Sequence, residues 1–275
     1  MTIATLAPEL DGSEPAPGSR VAWAIADIKT VTWRNLINYT RIPEQMFFAS
    51  VQPIMFTLLF VYVFGGAIRI PGGERYVNYL MPGIFVQTVM FGAVSTSVGL
   101  AEDLQKGLIE RFRALPMARA AVLGGRTTAD LCRNVGVVIL ITLVGFAVGF
   151  RIGTNVFFFV LGLLLVLFFA YALSWGFAVI GLSAPNSETA QLMAFPILFP
   201  FVFASSAFVP VATMPGWLQG FAANQPVSVV IDATRSLMLG GAWRSIPVQW
   251  KAVGWCIALL VVLVPLAVWR YRRTA

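Results

Sequence analysis

The chain has 275 residues, of which 58% are hydrophobic and only 11% charged, with a mean hydropathy of +0.81. Soluble domains carry roughly a quarter charged residues, so this composition excludes an ordinary globular domain and points to a polytopic membrane protein. The net charge of +7 therefore bears on topology and lipid headgroups before nucleic acid, and the basic residues are scattered among loops with no aromatic-interleaved basic face. Histidine is absent, which removes imidazole-based triads, the usual haem ligand and a common zinc ligand. Cys132 and Cys256 lie near opposite ends of different predicted spans, so no disulfide is expected between them.

Residues 1–19 are acidic and rich in Pro, Gly and Ser. They lack a basic n-region and an apolar h-region, so they read as a disordered tail rather than a signal peptide. Residues 20–43 follow as one amphipathic helix. Asp27, Thr30, Arg34, Asn38 and Arg41 recur at helical spacing, and Trp23, Ile25 and Trp33 supply apolar surface. Such a helix either lies on the inner leaflet or packs on a partner. Residues 44–275 then form a single transmembrane domain. A crossing needs about 20 apolar residues, and the gaps between charges predict spans at Gln45–Ile68, Tyr76–Ala101, Ala121–Phe150, Ile152–Ser183, Thr189–Val211 and Ala252–Trp269. Arg126, Asp130 and Arg133, one and two helical turns apart in the third span, would each cost about 2.5–3.5 kcal/mol at mid-membrane. They are therefore expected at its inner edge, paired with one another.

Between the second and third spans sits a charged island, Glu102–Arg119. Leu104, Leu108, Phe112 and Leu115 make one apolar stripe, Asp103, Lys106, Glu110 and Arg113 the opposite face, and Pro116 a stop. This predicts an amphipathic helix that either docks a partner or lies solvated on lipid. With six spans and both termini inside, thirteen Lys and Arg fall in the cytoplasm and six outside, as the positive-inside rule asks. Two crossings within the uncharged run Thr189–Ile231 would worsen that bias. The segment after the fifth span is expected instead to dip into the outer leaflet and return, or to be an ordinary external loop. Thr213 could cap a short helix with Pro215 in its first turn and Trp217 at the interface; Asn224-Gln225-Pro226 makes a turn; Asp232 and Arg235 share a face of a second short helix that Gly240-Gly241 ends.

Pro196 and Pro200, flanked by Phe195, Phe199, Phe201 and Phe203, mark either a deformable helix beside a pathway or a static kink. Gln52 and Gln87 are among the mild polar groups inside the spans; most such groups satisfy one another across helices and a minority face a substrate route. No acidic residue lies deep in a span, which argues against a proton- or sodium-coupled carrier. No GxxxxGK[ST] occurs, so the chain holds no P-loop.

Two segments carry a resemblance. GLIERFRALPMARAAVLGGR (Gly107–Arg126) resembles the cytoplasmic loop between the second and third helices of ABC-2 type transporter permeases. The spacing of Phe-Val-Pro, Met-Pro-Gly-Trp-Leu-Gln, Asn-Gln-Pro-Val-Ser and Asp-Ala-Thr-Arg within Phe208–Gly241 is similar to that family's signature before the last helix. Among subfamilies the chain looks most like the daunorubicin-resistance type of drug-exporter permease. The resemblance implies an all-α, type V exporter-like fold with six transmembrane helices, an N-terminal interfacial helix and an external re-entrant hairpin. It further implies a half-transporter in a bacterial plasma membrane, pairing with a second permease chain and with two copies of a separate ATPase that carries the ATP and magnesium. Gly107, Leu108, Ile109, Glu110, Arg111, Phe112 and Arg113 would form the helix seated in the ATPase, and the Val21–Arg41 helix would also touch it. Cargo would pass near spans one, two and five. A glycan exporter of the same family, a membrane scaffold and a membrane-embedded enzyme are the rival readings, the last poorly supported without a catalytic dyad or metal cluster.

Overall fold

The computed structural model describes residues 17–41, 43–68, 70, 73–108 and 119–273, and every regular element among them is helical. Helix α1 (Pro17–Arg41) begins inside the segment expected to be a tail, with Pro17 at its first position; residues 1–16 lie outside the described residues. Pro43 does not merely break α1 but opens α2 (Pro43–Leu59), which continues as a π turn over Phe60–Phe64. Then come α3 (Tyr76–Gln105), α4 (Arg119–Val148), α5 (Val156–Gly181), α6 (Ser187–Phe203), α7 (Gly216–Asn224), α8 (Pro226–Leu239) and α9 (Ile246–Arg273).

α3 is the axis of the bundle. Its sequence is apolar all round, the pattern of a helix with no solvent face, and Leu80, Met81, Ile84, Phe85, Val86 and Val89 have no exposed surface. It packs on α4, α5, α6 and α8. Four helices (Tyr76–Gln105, Ala121–Val148, Val156–Gly181 and Ile246–Arg273) are long and apolar enough to cross a membrane, while Ser50–Phe64 and Ser187–Phe203 are shorter apolar helices.

The fifth predicted span was drawn to Val211, but α6 stops at Phe203. Its 17 residues cover about 25 Å at 1.5 Å per residue. The stop has a side-chain cause. Gln225 donates from its amide to the carbonyls of Phe201 (3.1 Å) and Ala204 (2.6 Å), capping groups that a longer helix would have satisfied itself. Non-helical backbone follows, and unpaired amides at membrane depth are costly. α3 answers them: the Tyr79 hydroxyl donates to the Ser206 carbonyl (2.9 Å) and the Tyr76 hydroxyl to that of Phe208 (3.0 Å). Gly83 permits the close approach, since a Cβ there would lie 2.5 Å from the Ala207 carbonyl oxygen.

α7 and α8 form the predicted helical hairpin, with one correction at its start. Pro215 is the N-cap of α7, not a first-turn residue, and Thr213 closes a preceding 3-10 turn by donating to the Pro210 carbonyl at 2.7 Å. Pro226 opens α8, where its missing N–H has no consequence, and Gly240 ends it with φ +61°. The loop before α5 closes that end: the Gly153 amide donates to the Met238 carbonyl and the Thr154 hydroxyl to that of Leu237.

The first and last described helices meet the bundle at the same end. α1 packs on the start of α4, and the last turn of α9 meets the end of α5, where Arg270 donates to the Ser183 hydroxyl at 3.1 Å. Leu100, Leu123, Trp175 and Tyr271 form a shared core there. The hairpin lies at the opposite end.

Candidate coupling face and transport surface

At the terminal end α1 lies against α4 through Gly125. A Cβ at Gly125 would stand 2.6 Å from that of Val31, and the Thr32 hydroxyl reaches the Gly125 carbonyl at 3.2 Å. Val31 and Asn35 are buried, whereas Trp23, Ile25 and Trp33 are exposed. From this contact a chain of charges runs into the bundle. Arg34 on α1 meets Asp103 near the end of α3 at 3.7 Å; Asp103 meets Arg126 on α4 at 3.9 Å; Arg126 meets Asp130 one turn on at 3.7 Å. Thr96, fully buried on α3, donates to Asp130 at 2.6 Å. The predicted pairing within the Arg126–Asp130–Arg133 triplet is thus seen for its first two members. Arg133 reaches across to α3, donating to the Ser95 hydroxyl and to the Gly92 carbonyl at 2.7 Å. Gly99 leaves room beside α3 for the Arg126 guanidinium.

The amphipathic helix expected across Glu102–Arg119 does not begin at Glu102. Glu102–Gln105 are the last turn of α3, and Gly107, at φ +64°, breaks the helix in a conformation that disfavours a side chain. Leu108 follows the break; Ile109, Glu110, Arg111, Phe112 and Arg113, with the chain to residue 118, lie outside the described residues. Asp103 stands four residues before the break, so the charge chain reaches the last turn of α3. Of the predicted polar stripe on α1, Asp27 and Arg34 are half-buried; the side chains of Asn38 and Arg41 lie outside the described residues.

At the hairpin end the central group is Arg235, 2% exposed. The spacing with Asp232 was legible, and the two pair at 2.6 Å. Its other partners were not. The guanidinium donates to the Tyr79 carbonyl (3.1 and 3.2 Å) and to the Ser206 carbonyl (2.8 Å), and lies 3.8 Å over the Tyr79 ring. Ser206 in turn donates its hydroxyl to Asp232 at 2.8 Å. Beside this knot is a cavity of about 330 Å³ lined by Tyr79, Ser206, Asp232, Arg235 and Trp243. On the hairpin's outer side Pro215 and Trp217 are exposed, the latter 81%. Asn224, also exposed, accepts from Lys251 at 3.0 Å, and Pro226 is half-buried.

Between the two ends runs a row of phenylalanines from α2, α3 and α6. Phe91 meets Phe56 (6.5 Å between ring centres) and Phe199 (6.0 Å); Phe56 stacks on Phe60 (6.1 Å), Phe199 on Phe203 (5.5 Å), and Phe60 and Phe203 both stack on Phe208 (4.3 and 5.4 Å). Phe199 and Phe203 are 45% and 43% exposed, and Pro196 and Pro200 are exposed beside them. Such ring pairs add about 0.5–1.5 kcal/mol beyond area burial, so the row joins three helices while keeping one face open. The row's end at Phe91 adjoins a small pocket that also contains Gln52 and Gln87. Sequence reasoning named Phe199 and the two glutamines but not Phe56, Phe60, Phe91 or Phe208.

Comparison with known proteins agrees along most of the chain. The model of the ABC-2 type transporter family matches residues 26–239. The daunorubicin resistance ABC transporter permease protein DrrB1 of Streptomyces coeruleorubidus is 35% identical over 261 residues, 93% of this chain and 90% of that protein. The probable doxorubicin resistance permease protein DrrC of Mycobacterium tuberculosis is 27% identical over 271 residues, 94% of each chain. A putative transport permease of Pyropia yezoensis, ycf38, is 26% identical over 248 residues, covering 87% and 84%. With its apolar helical bundle and matched length, the chain belongs to the ABC-2 type transporter family and is a multi-pass membrane permease subunit of an ABC transporter.

Proposed function

We propose that this permease moves a hydrophobic or amphipathic small molecule outward across a bacterial plasma membrane, driven by a separate ATPase. The observation that carries this reading is the phenylalanine row on α2, α3 and α6, an uncharged, partly exposed surface running from mid-bundle to the hairpin. An apolar body gains from aromatic contact at every step of such a surface, whereas a small hydrated ion finds no oxygen ligands along it to replace its hydration shell. The relatives named for daunorubicin and doxorubicin resistance favour the same cargo class.

In this reading the chain crosses the membrane six times, α2 and α6 making the short crossings, with both termini cytoplasmic. Two permease chains pair, cargo passes between them, and two ATPase copies bind below. The Gly107–Arg113 segment is the docking element. The Arg34–Asp103–Arg126–Asp130 chain passes its displacement to α1, α3 and α4. The α7–α8 hairpin closes the outer end.

The test is co-reconstitution in proteoliposomes with an ATP-binding cassette ATPase that co-purifies with the chain, with daunorubicin as probe. ATP-dependent accumulation is expected, and joint reversal of Glu110 and Arg113 should weaken co-purification of the ATPase and abolish accumulation. Accumulation with the double reversal fully active would sink the docking assignment; no ATP-dependent movement of the amphiphile would sink the cargo class.

A further inference from the structure

We propose that the pocket between α2, α3 and α4 is a docking subsite for the hydroxyl-bearing polar end of the cargo, a deepening that rests on the transport reading above. The pocket holds about 90 Å³. That is room for about three waters at their liquid volume of roughly 30 Å³ each, far short of the 300–1,000 Å³ typical of sites that enclose a whole drug-sized ligand. It can take the end of a molecule, with the apolar body outside.

Two side chains in its wall lack partners. Gln87 is 4% exposed and its Oε1 has no hydrogen bond; Thr88 is 6% exposed and its Oγ1 has none either. Other buried helical threonines, Thr57, Thr142 and Thr234, donate to the carbonyl one turn back at 2.7–2.8 Å; Thr88 does not. Buried polar groups in folded proteins are overwhelmingly satisfied. Two orphans on consecutive residues, facing one small cavity, mark a place where a polar group is to be received. The opposite wall is held open for α4: at Gly92 a Cβ would lie 2.6 Å from the Asn134 Oδ1 and 3.3 Å from the Arg133 guanidinium. Glycine there lets both side chains reach the α3 wall.

The chemistry of the wall selects the group. The Gln87 Oε1 accepts and needs a donor. Arg133 puts a fixed positive charge in the lining, which contains no carboxylate among the described residues; the nearby Asp130 is engaged by Thr96 and Arg126. An ammonium would satisfy Gln87 but meet Arg133 in a poorly screened setting. A carboxylate or phosphate would suit Arg133 and Thr88 but would be met at Gln87 only if that amide turned its NH2 inward. A hydroxyl donates to Gln87 and accepts from Thr88 at once. Phe91 lines the same pocket and begins the phenylalanine row, so an amphiphile anchored by its hydroxyl would lay its apolar body along that row.

The experiment is equilibrium binding to the full-length chain in lipid nanodiscs, corrected for empty nanodiscs. The probes are four amphiphiles with one naphthyl-alkyl body ending in hydroxyl, methoxy, trimethylammonium or carboxylate. The hydroxyl probe is expected to bind roughly two- to twelvefold tighter than the methoxy probe, the range of one net hydrogen bond. Gln87→Leu should reduce that preference while methoxy affinity stays constant, which also reports an intact bundle; Thr88→Val should weaken both probes together, since either oxygen can accept from Thr88, and Thr88→Ser should keep both affinities. Should Gln87→Leu fail to fold, Gln87→Asn, which withdraws the amide by one carbon, is read in the same assay. Equal binding of the hydroxyl and methoxy probes, a preference for trimethylammonium or carboxylate, a hydroxyl preference that survives Gln87→Leu, or unchanged affinity of both probes in Thr88→Val would each overturn the subsite. Failure of ATP-driven movement in proteoliposomes counts against the export reading alone, because the nanodisc preference needs no ATPase.

Discussion

The two ends of the bundle are held together in different ways. At the terminal end, α1, α3 and α4 are joined by charged pairs 3.7–3.9 Å apart, with Arg34 still 32% exposed. At the hairpin end, Arg235 is sealed in by contacts of 2.6–3.2 Å to a carboxylate and two carbonyls and by the Tyr79 ring. Longer charged contacts tolerate sliding, because the Coulomb term varies slowly with distance. Short hydrogen bonds to buried carbonyls do not, because they fail steeply with length and angle. The contrast assigns yielding to the α1–α3 contact at Asp103, short of the α3–α4 bonds made by Thr96 and Arg133, and rigidity to the α3–α8 junction beneath the hairpin.

The largest effect should come from breaking the rigid end. Arg235→Met strips Asp232 of its cation and removes the guanidinium from the Tyr79 and Ser206 carbonyls; because Asp232 keeps 38% of its side chain exposed, the loss falls near the low end of the roughly 3–5 kcal/mol of a buried pair stripped of one partner. Thermal unfolding in detergent should show a marked loss of stability. A variant as stable as the parent would mean that the hairpin end is not locked. At the yielding end Arg126→Gln should cost less, about 1–3 kcal/mol, yet reduce ATP-driven transport sharply while ATPase co-purification persists. Equal losses of transport and assembly would show instead that Arg126 merely holds the fold. The smallest perturbation asks which end is which. Glu74 and Lys106 are exposed residues flanking opposite ends of α3. Glu74→Cys should react with a membrane-impermeant maleimide on intact cells and Lys106→Cys only after permeabilisation. Reversed labelling would exchange the two ends.

Much of the frame could be read from sequence because its causes are local. Charge-free runs set the long helices, and Pro226 and Gly240 set the limits of α8. The Asp232–Arg235 pair needed only its spacing. What stayed hidden depends on groups that carry no mark in the sequence. Arg235 is satisfied largely by backbone carbonyls, one of them 156 positions away, and any residue has a carbonyl. The phenylalanine row was hidden by abundance: among 22 phenylalanines, periodicity in apolar helices does not say which rings meet. The end of α6 was misplaced because apolar sequence continues beyond Phe203, while the cap that stops the helix comes from Gln225, in another element.

That cap has a consequence for how pieces of such permeases could be exchanged. α6 takes its C-terminal cap from the hairpin, and the hairpin takes the closure of α8 from Gly153 and Thr154 ahead of α5. Neither the hairpin nor α6 is a cassette. A chimera that imports a relative's hairpin alone would bring a foreign cap to α6 and a foreign carbonyl edge to the α5 loop, leaving both seams mismatched inside the bilayer. A portable block must start no later than Gly153 and end no earlier than Gly240, and swaps made to transfer cargo preference between relatives must also keep its seam with Tyr76, Tyr79 and Gly83 of α3.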